Sequence, residues 1–301
     1  MNDKSTSHVT AILQALLVTF LWSTSFIIIK LGLSEIPPLT YAGMRYFIAF
    51  LVFIPFMLRQ KNINQIKQLN SQQIKKLFFL GLIFYAFTQG TQFVGLSLLP
   101  SVTVSLMLNF TPIVVAVLGI IWLNEKPTII QWVGTFIFIV GIVVYFIPLN
   151  TIVSQGIGIL VMIAGVAANA LSSILGRDIN RQKNISPLVV TFISMGFGSI
   201  ILFSTGLIKD GIPEIGITTW LLLLWLALVN TAFAFTLWNK TLRSLSAMES
   251  SIINGTMLIQ IAFLAWIFLG ESITIYKGIG MGIAAIGALL VQLKFNPFKK
   301  S

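Results

Sequence analysis

Cysteine is absent from the chain, and histidine occurs once, at His8. The first absence excludes disulfides, a thiolate nucleophile and Cys-ligated zinc or iron–sulfur centres. The second removes His-based triads and most metal sites, because the one imidazole lies in a polar N-terminal stretch. Charge is scarce as well. Only 9% of the 301 residues are Asp, Glu, Lys or Arg, against about 25% in ordinary soluble domains. The acids are Asp3, Glu35, Glu125, Asp178, Asp210, Glu214, Glu249 and Glu271, and none stands in the middle of a long apolar run. No buried carboxylate pair is therefore available for general acid–base chemistry, so an enzyme is not expected. No Walker motif is present, and no G-x-G-x-x-G follows a strand, so the chain carries no nucleotide-driven motor and calls for no cofactor.

What is there is apolar. Residues of the AVILMFWYC set make up 56% of the chain, with 24 Phe, 7 Trp and a mean hydropathy of +0.95. A bilayer core about 30 Å thick needs roughly 20 apolar residues per helix. Such stretches lie at 10–31, 38–58, 76–97, 100–123, 128–147, 156–176, 187–207, 217–239, 248–269 and 275–293. Turn or charge signals close them, among them Pro37-Pro38, Pro100, Pro148, Asp210-Gly211 and Gly270-Glu271. The runs are continuous rather than alternating, which argues against strands. The expected fold class is an all-α polytopic membrane protein of ten transmembrane helices. The first span reads as retained rather than as a cleaved signal peptide, being long and without a small-residue cleavage site.

The formal charge of +11 would suggest nucleic acid in a soluble protein. Here it has a topological reading. With the N-terminus inside, fifteen of the 19 basic residues fall in cytoplasmic segments: Lys4; Arg59, Lys61, Lys67, Lys75 and Lys76; Lys126; Arg177, Arg181 and Lys183; Lys240 and Arg243; and Lys294, Lys299 and Lys300. Positive charge inside sets orientation. The expectation is a cell (cytoplasmic) membrane protein with both termini cytoplasmic, whose partners are the lipid bilayer and a small-molecule substrate, with no nucleic acid.

The second half repeats the first at a shift of 146 residues from the third span onward. Leu123, Glu125, Thr128, Gly134 and Gly141 fall on Leu269, Glu271, Thr274, Gly280 and Gly287. Two repeats follow, 1–150 with spans 1–5 and 151–301 with spans 6–10. Five is odd, so the second repeat enters the membrane from the opposite side. Inverted repeats suit carriers that expose a central site to either face in turn. A passive channel or a non-transport membrane protein is the alternative of a different class.

Ten spans in a five-plus-five inverted repeat, the Leu-x-Glu turn after spans 4 and 9, Trp22-Ser23, Arg45 early in span 2, and Ser101–Ser105 followed by Pro112 and Leu123-Asn124-Glu125 resemble the drug/metabolite transporter superfamily in its EamA-domain branch. The resemblance covers essentially the whole chain. It implies export, or sometimes uptake, of amino acids, related metabolites or toxic compounds. Within the same fold, a carrier of anionic sugar derivatives or a multidrug exporter is the alternative. Two departures stand out: Trp-Ser where Trp-Gly is common, and Leu258 where span 9 often has proline.

A carrier's site is best sought where helix breakers occupy matching places in the two halves. Span 4 carries Asn109-Phe110-Thr111-Pro112 and span 9 carries Asn254-Gly255-Thr256, with Gly255 on Asn109 at the 146 shift. Asn109 and Asn254 either bond across helices or contact a substrate. Arg45, about 10 Å into span 2 at 1.5 Å per residue, either attracts a carboxylate or holds helix ends together. The wider set of candidate contacts is Trp22, Tyr46, Tyr85, Gln89, Gln92, Asn169, Asn230, Trp238 and Asn239. Each aromatic ring among them could equally pack or face lipid. The glycine pairs Gly134/Gly141 and Gly280/Gly287 read as close-packing seams or as a homodimer contact. Glu125 and Glu271 are expected to cap the starts of spans 5 and 10. The lack of a mid-membrane acid favours exchange or facilitated diffusion over proton coupling.

Overall fold

The computed structural model describes residues 8–123, 128–147, 155–181, 185–241, 244–245 and 253–292. All regular structure among them is helical. The helices are α1 His8–Gly32, α2 Pro38–Met57, α3 Gln60–Lys67, α4 Ser71–Leu80, α5 Gln89–Leu98, α6 Ser101–Leu108, α7 Thr111–Leu123, α8 Ile129–Tyr145, α9 Gly156–Arg181, α10 Pro187–Asp210, α11 Ile217–Ala227, α12 Ala234–Thr241, α13 Met257–Leu269 and α14 Ile275–Gln292. Among the described residues, six helical stretches are long and apolar enough to cross a membrane: His8–Gly32, Pro38–Met57, Ser71–Leu98, Gly156–Gly176, Pro187–Asp210 and Ile217–Trp238. Four shorter apolar helices follow the remaining predicted runs, Ser101–Val115, Ile129–Tyr145, Ile253–Leu269 and Ile275–Val291.

The boundaries have local causes. Pro38 and Pro187 stand at helix starts, where a missing N–H is no loss. Asn70 with Gln73, and Thr128 with Gln131, form reciprocal capping boxes at the starts of α4 and α8. At the start of α14 the hydroxyl of Thr274 accepts the N–H of Lys277 at 3.3 Å. The cap expected of Glu271 is corrected here. Thr128 and Thr274, which are repeat equivalents, cap the helices of spans 5 and 10. The carboxylate of Glu271 instead accepts the N–H groups of Ser101 at 2.7 Å and Val102 at 3.3 Å, capping α6. A carboxylate on two free donors at a positive dipole end is favourable, and α6 has no side-chain cap of its own. The predicted role of Glu125 lies outside the described residues.

Two pairs of interruptions shape the long helices. Between α4 and α5 the chain runs as a π-helix over Gly81–Thr88, and between α11 and α12 it does so again over Leu228–Phe233. Shifted by 146, the second falls wholly inside the first. In both, a threonine hydroxyl reaches the carbonyl five residues back: Thr88 to Ile83 at 2.9 Å and Thr231 to Leu226 at 2.8 Å. The second pair are breaks. Span 4 turns at Asn109 and Phe110, and span 9 turns at Thr256, which is the repeat equivalent of Phe110.

The chain divides into two compact units, each drawing on both halves of the sequence. One comprises 1–27, 99–159 and 234–301, the other 28–98 and 160–233. In the first, α8 and α14 cross on a glycine seam. A Cβ on Gly134 would meet the Gly287 carbonyl, and one on Gly287 would meet the Gly134 carbonyl; Gly141 and Gly280 stand in the same reciprocal relation. Residues i and j′ touch, and so do j and i′, the signature of a local two-fold relation. In lipid there is little hydrophobic drive between helices, so this backbone approach is what joins them. The seam lies within the bundle. Phe138, Tyr145, Leu258, Ala265 and Ala284 fill the core beside it.

In the second unit α2 and α10 make the equivalent crossing. A Cβ on Gly43 would strike the Phe203 backbone, and one on Gly206 the Thr40 backbone. Phe47 stacks on Phe203 at 5.4 Å and Phe50 on Phe192 at 4.8 Å. The π-helical turn at Gly81 packs on α10, where a Cβ on Gly81 would strike the Ser194 carbonyl and one on Gly198 the Gly81 carbonyl.

Candidate functional site

The second unit holds a buried polar cluster built by α2, the π-segment at 81–88 with the start of α5, and the π-segment at 228–233. Arg45 is 3% exposed although it is charged. Its Nε donates to the Thr231 hydroxyl at 2.9 Å, and its Nη2 makes a longer bond of 3.5 Å to the Asn230 carbonyl. The guanidinium also lies 5.2 Å from the Tyr46 ring centre, within range of that ring's negative face. Among the described residues no carboxylate pairs with it. A guanidinium at mid-helix in a membrane costs at least about 2.5–3.5 kcal/mol, and here dipoles and a ring meet it rather than an opposite charge.

Next to it the Tyr46 hydroxyl donates to Gln89 Oε1 at 2.6 Å. The Tyr46 and Tyr85 rings meet at 5.7 Å, and Tyr85 meets Phe84 at 4.8 Å, both edge to face. Tyr46, Tyr85, Gln89, Asn230 and Thr231 are all buried. The local reason is the π-turn. Its wider helical step carries Thr231 round so that one hydroxyl both accepts from Arg45 and donates to Leu226, and such turns recur at functional sites.

The first unit holds a different group. Trp22 of α1 meets Phe235 and Trp238 of α12, each at 5.3 Å and tilted. The Trp22 indole N–H is buried without a hydrogen-bond acceptor among the described residues. Beside the break at Thr256, Gln260 accepts from Ser23 at 2.9 Å and donates to Thr256 at 2.9 Å. Asn109, at the break in span 4, turns its amide back to the Ser105 carbonyl at 2.9 Å and is half-buried. Asn254 is exposed.

Of the residues put forward as substrate contacts, the structure thus gathers Arg45, Tyr46, Tyr85, Gln89 and Asn230 in one cluster and Trp22 with Trp238 in another. Asn109 sits at the break in span 4, and Asn254 lies two residues before the break at Thr256. Asn169 stands half-buried in α9, its carbonyl accepting from Ser172 and Ser173, each at 2.8 Å. Thr231 and Gln260 were not picked out from sequence. A glutamine inside span 9 is a signal that polarity alone could have raised. Among the described residues no group of three or more His, Asp or Glu could hold a metal ion.

Comparison with known proteins agrees with this architecture. Residues 9–147 and 156–293 each match the EamA-like transporter family. An uncharacterised transporter of Archaeoglobus fulgidus is 27% identical over 289 residues, covering 94% of this chain and 98% of that one. The uncharacterised transporter YoaV of Bacillus subtilis is 24% identical over 285 residues, 93% and 95% of the two chains. An S-adenosylmethionine/S-adenosylhomocysteine transporter of Chlamydia trachomatis is also 24% identical, over 93% of this chain and 88% of its own. A solved crystal structure superposes with a TM-score of 0.64 at 17% identity, over 95% and 98% of the chains, a likeness of fold. The chain is a multi-pass membrane protein that belongs to the EamA-like transporter family.

Proposed function

We propose that the protein is a secondary carrier of small metabolites, amino acids or related compounds, that works by alternating access and moves its substrate outward. In this reading ten spans form a five-plus-five inverted repeat, residues 1–150 and 151–301, in the cytoplasmic membrane with both termini inside. One observation carries the proposal: the interruptions come in repeat-equivalent pairs. The π-segments occupy 81–88 and 228–233, and the breaks occupy 109–110 and 256. Helices broken at matching places in two inverted halves supply free backbone groups to a central site and let either half bend.

Substrate contacts are assigned to Tyr85, Gln89 and Asn230 in one unit and to Trp22, Asn109, Trp238 and Asn254 in the other, with Asn169 as a further amide. Hydroxyls, amides and rings suit a zwitterionic or aromatic metabolite. Arg45 takes a positioning role, because its Nε and Nη2 tie α2 to the π-turn at Thr231 and Asn230. An S-adenosylmethionine transporter among the relatives makes that amino-acid derivative a natural member of the test panel. Without a mid-membrane acid, exchange is the simplest cycle.

The test is counterflow in proteoliposomes loaded with unlabelled amino acids and S-adenosylmethionine, with each label added outside in turn and no ion gradient. Accumulation of one label above equilibrium is the expected result. No accumulation of any label by folded protein would contradict the substrate class, and sugar derivatives or toxic cations would then take its place.

A further inference from the structure

We propose that the groove between α3 and the start of α4 is a binding site for the phosphate of an anionic phospholipid headgroup. The groove has a volume of about 310 Å³ and is lined by Lys61, Asn64, Gln65, Gln68, Leu69 and Gln73. Lys61, Asn64, Gln65 and Gln68 succeed one another at spacings that put them along one side of α3. The opposite side carries Ile66, which packs with Leu69 on the buried cluster of Met57, Leu77, Ile185 and Val189. The helix is therefore fastened by its apolar face, and its polar face is presented outward.

The lining is one of donors. The Gln73 oxygen accepts the Asn70 N–H at 3.0 Å, and the Gln65 oxygen accepts the Ser186 N–H at 3.1 Å. A backbone N–H bonds only to an oxygen, which fixes the direction of both amides. The Asn64 oxygen is engaged by Gln60 at 3.0 Å. What Asn64 and Gln73 still offer the groove is N–H, and Gln68 adds an amide and Lys61 an ammonium. Gln73 stands in the first turn of α4, at the positive end of that helix. A tetrahedral oxyanion takes several such donors at once.

The surroundings select a lipid. Between Glu35 and Glu125 the sequence has no acid, while Arg59, Lys61, Lys67, Lys75 and Lys76 crowd the same segment. Of these only Lys76 is ion-paired among the described residues, with Asp178 at 2.6 Å. Sequence neighbours of the groove expose large apolar side chains: Phe56 at 47%, Leu58 at 68% and Ile74 at 41%. Donors for a phosphate beside surfaces for acyl chains describe a membrane-interface site, and clustered basic residues at that level attract anionic lipid.

The full-length protein would be placed in nanodiscs of equal phosphatidylglycerol and phosphatidylcholine and released into mild detergent, and the lipids it keeps would be counted by native mass spectrometry. Wild type is expected to keep phosphatidylglycerol by about fivefold, the equivalent of about 1 kcal/mol for one cation at the surface. The double variant Lys61→Gln/Gln68→Leu is expected to lose the preference with its helicity unchanged, and Lys67→Gln, off the groove, to keep it. Equal retention of the two lipids by wild type, or an equal loss in Lys67→Gln, would overturn the groove as the site. If millimolar inorganic phosphate displaces the lipid and binds wild type but not the double variant in lipid-free detergent, the lipid assignment fails and the groove belongs to a soluble phosphate.

Discussion

Arg45 Nε lies 2.9 Å from the hydroxyl of Thr231, at the centre of the π-helical turn Leu228–Phe233. The bond ties α2 to a turn whose backbone steps differently from the helix on either side. A buried cation thus holds one of the two segments that the proposed cycle needs to bend.

Thr231→Val keeps the shape and removes the acceptor. A hydrogen bond to a charged group contributes about 1.5–3 kcal/mol, so the thermal midpoint of the purified protein should fall measurably. A midpoint equal to wild type would show that the guanidinium is held by something else.

Arg45→Lys keeps the charge and loses the planar fork. A positioning residue predicts a maximal counterflow rate reduced about tenfold, or about 1.4 kcal/mol, with half-saturation almost unchanged. A rise in half-saturation at an unchanged maximal rate would instead mark Arg45 as a direct substrate contact.

Gly141→Ala and Gly287→Ala should each destabilise the first unit by about 1–3 kcal/mol, because the added methyl meets backbone rather than a movable side chain. Gly282→Ala, two residues from Gly280 and with open space where its Cβ would stand, is the control and should be neutral or stabilising by up to about 1 kcal/mol. Thermal unfolding in detergent separates the three, and a seam variant as stable as the control would contradict the close crossing.

Glu271→Ala removes the cap of α6 and leaves the Ser101 and Val102 N–H groups without acceptors. Loss of a helix cap costs about 0.5–2 kcal/mol. Glu271→Gln retains one acceptor and should fall between that variant and wild type in thermal midpoint. The reverse order would show that charge at this position matters for another reason.

Much of this fold could be read from sequence because hydrocarbon imposes length and apolarity on each helix, so the predicted runs and the helices agree within a few residues. The breaks were legible for a like reason: Pro112 and Asn254-Gly255 are poor helix formers whatever surrounds them. The π-segments were not. A five-residue bond needs only an ordinary threonine, and Thr88 and Thr231 look like any other in a span. The cap made by Glu271 on α6 was also hidden. Its partner is 170 residues away, and the nearest helix start in sequence, at Thr274, already has a cap of its own. The Arg45 cluster was half legible: charge marked Arg45, but only the fold shows that Tyr46, Gln89 and Thr231 converge beside it.

The repeat itself is the central claim, and the absence of cysteine makes it directly testable. Lys126→Cys and Ser272→Cys place single thiols in the loops after spans 4 and 9, to be labelled with a membrane-impermeant maleimide in intact cells and after permeabilisation. The inverted repeat predicts that Ser272→Cys reacts from outside and that Lys126→Cys reacts only once the membrane is opened. Labelling of both from the same face would mean that the halves run in parallel, and would contradict the account.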